Sequence, residues 1–175
     1  MNDLTSFSAT FVHTVVAEFV SKAERRYKSN DSPSAVLLAG QPGAGKTMLS
    51  ELFSVVHSGD LILINGDDYR RLHPHYQDLH AAYGADAVSM TSAFSGAVTE
   101  ALIDKLSDRR FNLIIEGTGR TVDVPAKTAK LLSKKGYEVR MAAIAVRPEI
   151  SLACTLLRYY KMYESGMTPR ATPVD

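Results

Sequence analysis

The octapeptide Gly40-Gln41-Pro42-Gly43-Ala44-Gly45-Lys46-Thr47 constrains this chain more than any other stretch. It has the form Gly-x-x-x-x-Gly-Lys-Thr, and the apolar run Ala35-Val36-Leu37-Leu38-Ala39 stands directly before it. A run of that length and branching reads as a buried parallel strand, and Met48, Leu49, Leu52 and Phe53 continue as a helix on the far side. Strand, glycine-rich turn and helix in that order form a cradle for phosphate. Glycines let backbone N–H groups approach an anion with no Cβ in the way, and the opening helix points its positive end at the same spot. Lys46 is then placed to reach the outer phosphates of a nucleotide, and the Thr47 hydroxyl to hold Mg²⁺.

The rest of the chain repeats the pattern of an apolar strand followed by a polar turn. Leu61-Ile62-Leu63-Ile64 runs into Asn65-Gly66-Asp67-Asp68-Tyr69-Arg70-Arg71, and Phe111-Asn112-Leu113-Ile114-Ile115 into Glu116-Gly117-Thr118-Gly119-Arg120-Thr121. A fourth strand is expected over Glu138–Val146. Helices are expected over Ser6–Tyr27, Ala85–Leu106, Asp123–Leu132 and Glu149–Glu164, from apolar positions recurring at helical spacing. Breaks are expected at Ser58-Gly59, Lys135-Gly136 and Ser165-Gly166. The fold class is α/β: a three-layer P-loop NTPase or kinase fold, with a mainly parallel central sheet and helices on both faces. At 175 residues with 45% apolar content, residues 1–175 make one domain.

Open α/β sheets bind ligands at the carboxyl ends of their strands, so the polar turns are the candidate site. Asp67 is placed to orient an acceptor hydroxyl and take its proton; the plainer alternative is that Asp67 or Asp68 caps the next helix. Glu116 is suited to ordering Mg²⁺ through water, and Thr118 and Arg120 to an anionic, hydroxyl-rich substrate. Arg158 and Arg170 come late, where arginines can close over a transferring phosphate; either alone reads as a surface residue. Glu100 by itself reads as an ordinary solvated residue. His73-Pro74-His75 reads as a rigid turn rather than a metal site, for want of a third ligand at suitable spacing. A net charge of +1 argues against nucleic acid as a partner. No membrane-length apolar run and no signal pattern interrupts the reading of a cytoplasmic protein without a membrane partner. The single cysteine, Cys154, lies in an apolar helical pattern and is expected to be a small buried hydrophobe.

Taken together, the stretches Gly40–Thr47, Gly66-Asp67-Asp68-Tyr69-Arg70 with His73-Pro74, Leu113–Arg120, and Arg158 with Pro169-Arg170 resemble the zeta toxin family. These are the kinase components of bacterial epsilon–zeta and PezAT-type toxin–antitoxin systems. The phosphate loop is shared by many kinases, but its coupling to the other segments is specific. The resemblance implies ATP- and Mg²⁺-dependent phosphorylation of a UDP-activated amino sugar, typically the 3′-hydroxyl of UDP-N-acetylglucosamine. It implies that Gly40, Gln41, Pro42, Gly43, Ala44, Gly45, Lys46 and Thr47 bind nucleotide, with Thr47 on the metal. Asp67 looks like the base, Glu100, Glu116, Thr118 and Arg120 like the substrate set with it, and Arg158 and Arg170 like the γ-phosphate clamp beside Lys46. A protein antitoxin is implied as partner, contacting the N-terminal helix and obstructing the nucleotide site. Asn65 replaces a common aspartate and Gly119 a common leucine, and family members usually continue well past the second clamp arginine. The competing expectations are another P-loop kinase, such as an antibiotic phosphotransferase or a nucleoside or polynucleotide kinase, and a nucleotide-binding partner protein with weak or no catalysis.

Overall fold

The computed structural model describes residues 3–166. The first helix, α1 (Ala9–Arg26), starts where the Ser8 hydroxyl accepts from the Phe11 N–H, and carries Arg25 and Arg26 in its last turn, favourable against the helix dipole. Its buried residues Val12, Val16, Val20 and Ala23 form one stripe at helical spacing. Then come β1 (Ser34–Gly40), α2 (Lys46–Val56), β2 (Ile62–Asn65) and the single turn α3 (Gly66–Tyr69). They are followed by α4 (Tyr76–Tyr83), α5 (Ala87–Met90), α6 (Ser92–Asp108), β3 (Leu113–Gly117), α7 (Asp123–Lys134), β4 (Glu138–Ile144) and α8 (Pro148–Glu164).

The strands form one four-stranded sheet in the order β2-β3-β1-β4, every neighbouring pair parallel. Side chains alternate across it. Ala35, Leu37, Leu113 and Ile64 face a core built with α1, α6 and Leu132 of α7. Val36, Leu38 and Ile114 face the other way, against Leu49 and Phe53 of α2. Because α2 and α7 lie on opposite faces, the sheet is wound in both directions from β1, and a crevice opens at the carboxyl ends of the central strands. The register sets the rows at that end: Leu38 and Asn65 both lie opposite Glu116, and Ala39 lies opposite Gly117.

The helix expected over Ala85–Leu106 is three elements, a 3-10 turn (Gly84–Asp86) followed by α5 and α6. The chain turns at Thr91, which is fully buried and whose hydroxyl bonds back to the carbonyls of Ala87 and Val88, and α6 starts only at Ser92. A threonine that satisfies backbone acceptors with its side chain competes with the helical ladder, which ends α5 there. Cys154 is exposed, not buried. The apolar pattern of α8 presupposes a neighbour on more than one side, yet Leu152, Leu156, Leu157, Tyr160 and Tyr163 are all exposed among the described residues. Ser58-Gly59 and Gly136 do end their helices, with φ values of 53°, 79° and 80°. Among the described residues no helix is long and apolar enough to cross a membrane.

Candidate active site

The phosphate loop bridges the end of β1 and the start of α2, and its shape needs glycine at two places. Gly43 (φ 75°) and Gly45 (φ 93°) are left-handed. A Cβ on Gly43 would also stand 2.6 Å from the Ser151 carbonyl oxygen and 3.0 Å from the Cys154 Cβ. The loop is therefore seated on the first turns of α8. Two further bonds hold it there: the Ser151 hydroxyl donates to the Pro42 carbonyl at 2.6 Å, and the Gln41 amide donates to the Val146 carbonyl at 2.7 Å. The N-cap of α2 is Gly45, which has no side chain to accept from the helix's first N–H groups, so they remain available to an anion in the loop.

The Lys46 ammonium donates to the carbonyls of Gly40 (2.7 Å) and Gln41 (3.1 Å) and lies 3.9 Å from the Glu116 carboxylate. Both side chains are nearly buried, 11% and 13% exposed. Burial is the leading cause of both shifts: it lowers the Lys46 pKa and raises that of Glu116, outweighing their mutual attraction. Asp67 and Arg158 act on both groups. Asp67 favours charged Lys46 and disfavours charged Glu116, while Arg158 does the reverse. The fold thus brings Lys46, Glu116, Asp67 and Arg158 into one electrostatic cluster, from four elements distant in sequence.

Neither Asp67 nor Asp68 caps the helix that follows β2. Asn65 does, its side-chain oxygen accepting from the Asp67 N–H at 3.1 Å, a task an aspartate would perform equally. Gly66 is pressed on α6: a Cβ there would stand 3.2 Å from both the Ser95 and Thr99 hydroxyls, and Ser95 Oγ donates to the Gly66 carbonyl at 2.6 Å. Glu100 follows Thr99 on the exposed side of α6, near this α3 contact. Thr118 and Arg120 are exposed in the turn after β3. Between them Gly119 is left-handed (φ 70°), and a Cβ on it would stand 3.0 Å from the Ala39 Cβ, which accounts for glycine in place of a larger residue. Thr118 and Gly119 also line a cleft of about 600 Å³, together with Gly40, Gln41, Val122 and Ile144. Thr47 is exposed in the first turn of α2. Arg158 is exposed on α8, and Arg170 lies outside the described residues.

His73 is 3% exposed, edge-on to the rings of Phe7 and Phe94, so the His-Pro-His segment is a packed turn. Among the described residues no group of three or more His, Cys, Asp or Glu could hold a metal ion. Sequence spacing gave no sign of Ser95, Ser151 or the Gln41 side chain as supports, because each acts on a backbone group remote in sequence.

The class this defines is an α/β protein of the P-loop kinase type: a parallel sheet with a glycine-rich phosphate loop after its first strand. The family is equally definite, since the Zeta toxin family model matches residues 18–175, and the chain belongs to the zeta toxin family. It is 49% identical over 152 residues to Toxin PezT of Streptococcus pneumoniae, a match covering 86% of this chain and 60% of that protein. It is 45% identical over 147 residues to Toxin zeta of Enterococcus hirae, covering 83% of this chain and 51% of the relative. The chain therefore spans between half and three fifths of the length of these curated relatives. A solved structure from the PezAT chromosomal toxin–antitoxin system of Streptococcus pneumoniae superposes with a TM-score of 0.88 at 43% identity, covering 93% of this chain and 67% of that one. A putative kinase from Chloroflexus aurantiacus shares the fold at a TM-score of 0.57 and 16% identity, over 75% of this chain and 70% of its own.

Proposed function

We propose that this chain transfers the γ-phosphoryl group of ATP to the 3′-hydroxyl of the amino sugar in UDP-N-acetylglucosamine, and that it is the toxin of a cytoplasmic toxin–antitoxin pair. The observation that carries this reading is the nearly buried Lys46–Glu116 pair, 3.9 Å apart at the carboxyl end of the sheet and within electrostatic reach of Asp67 and Arg158. A carboxylate and a cation that both act on the lysine of a phosphate loop support a reading in which one serves the acceptor hydroxyl and the other the transferring phosphate. Family membership and the printed names of its relatives support the toxin role.

In this reading the loop from Gly40 to Thr47 holds the nucleotide. Its left-handed glycines and uncapped helix start suit a polyphosphate, and the exposed Thr47 hydroxyl suits Mg²⁺, which would neutralise charge on the phosphates. Asp67 accepts the proton of the sugar hydroxyl as its oxygen bonds to the γ-phosphorus and the bond to the β-phosphate oxygen breaks, leaving ADP. Lys46 and Arg158 stabilise the charge on the transferring group, with Arg170 as second clamp. Glu100, Glu116, Thr118 and Arg120 hold the sugar nucleotide. A protein antitoxin covers the nucleotide site and contacts α1.

The test is incubation with ATP, Mg²⁺ and a panel of UDP-sugars, with phosphosugar read by mass spectrometry. Product from UDP-N-acetylglucosamine that disappears in Lys46→Ala and Asp67→Asn is expected. Product at or below the Lys46→Ala background with every UDP-sugar would overturn the assignment.

A further inference from the structure

Asp67 is 56% exposed and stands on a helix of only four residues, so no wall of neighbours fixes its side chain. A general base must keep its oxygen within hydrogen-bond reach of the proton it takes, and free rotation about two torsions would defeat that. Among the described residues, Arg70 makes a side-chain hydrogen bond to Asp67. Arg70 Nε donates to Asp67 Oδ1 at 2.9 Å, and Nη1 of the same guanidinium donates to the Val88 carbonyl at 2.6 Å. That carbonyl is itself held by the hydroxyl of Thr91, 3.1 Å away and fully buried at the joint between α5 and α6. The backbone under Asp67 is pinned separately, through Asn65 and through Ser95 on Gly66.

From this we infer that Arg70 is a positioning residue for Asp67, transmitting the place of the α5–α6 joint to the carboxylate. The inference rests on the assignment of Asp67 as the base. A planar guanidinium suits the task because its donors leave at fixed angles, so fastening one end on Val88 aims the other. Lysine would keep the charge but could not hold two acceptors in a fixed relation. An ion pair this exposed contributes little to stability, so the role lies in orientation rather than folding.

Two measurements test it. Side-chain proton couplings by NMR report the Asp67 rotamer without any turnover: one rotamer is expected in the wild type and rotamer averaging in Arg70→Met and Arg70→Lys, with Asp68 unchanged between them. In the sugar-phosphorylation assay both variants should lower kcat about 10- to 100-fold. Their affinity for a fluorescent ATP analogue should stay within about twofold and Tm should be nearly unchanged, because the hydrogen bonds of Arg70 among the described residues go to Asp67 and Val88, outside the phosphate loop. An Asp67 rotamer that is already averaged in the wild type, or still fixed in both variants, would overturn the inference. So would wild-type kcat in both, or a loss of nucleotide binding that matches the loss of rate. If the wild type phosphorylates no UDP-sugar while the rotamer still depends on Arg70, the substrate assignment fails and the orienting contact stands.

Discussion

Replacing Gly43 and Gly45 by alanine, one at a time, separates two costs that a glycine-rich loop usually confounds. Both residues are left-handed, at φ 75° and 93°, so each alanine incurs about 1–2 kcal/mol for that backbone region. Their surroundings differ. Among the described residues nothing lies within 4 Å of a Cβ built on Gly45, whereas one on Gly43 meets the Ser151 carbonyl oxygen at 2.6 Å. Comfortable contact between such atoms is about 3.5 Å, so the loop or the start of α8 must move by nearly an ångström. Overpacking of this kind costs about 1–3 kcal/mol beyond the backbone term. For a chain of 175 residues that corresponds to a Tm about 2–12 °C lower for Gly43→Ala than for Gly45→Ala. Differential scanning calorimetry of both variants without nucleotide reads the difference directly. Ser151→Gly together with Gly43→Ala should not restore it, because the obstructing atom is backbone. Equal Tm values for the two single variants would refute the claim that the loop is seated on α8.

Three further outcomes follow from the packing. Phe94, fully buried beneath Phe7, Phe11 and His73, should cost about 3–5 kcal/mol when cut to alanine, a fall of roughly 6–20 °C in Tm by calorimetry. Burial lowers the His73 pKa below its ordinary 6.5, so the unfolded chain binds more protons in that window. The resulting stability is present above about pH 6.5 and is lost as pH falls through the folded value, and urea titrations should show this loss in the wild type but not in His73→Gln. Lys135 donates to Asp104, Ser107 and Asp108 at the end of α6, and Lys135→Ala should lower stability by about 1 kcal/mol in urea, an effect weakened by salt.

The strands, the parallel sheet and the phosphate loop were legible in the sequence because their signals are local. A run such as Ala35–Ala39 before Gly40 needs no distant residue to be read. Boundaries shifted by a residue or two, as at Ile62–Asn65 and Leu113–Gly117, without moving any polar turn from its strand end. The break at Thr91 is not visible in local pattern, because it depends on a side-chain hydroxyl bonding back to Ala87 and Val88 inside a stretch whose apolar spacing is helical. Cys154 is exposed despite its apolar pattern for a similar reason: periodicity on α8 reports an apolar face, not whether a neighbour covers it.

The candidate residues Lys46, Asp67 and Glu116 were legible in the order of the chain, since each ends a strand or stands in the segment that follows one. Their relation to one another was not. Lys46 stands 3.9 Å from Glu116 only because β1 pairs with β3 in the register that sets Leu38 opposite Glu116. The seat of Gly43 on Ser151 likewise depends on a crossover that returns a distant segment to one end of the sheet, and the hold of Arg70 on Val88 on the folding back of the β2–β3 connection. Local pattern chooses the element and its polar end; only the packed chain sets distances between ends, and those distances carry the chemistry.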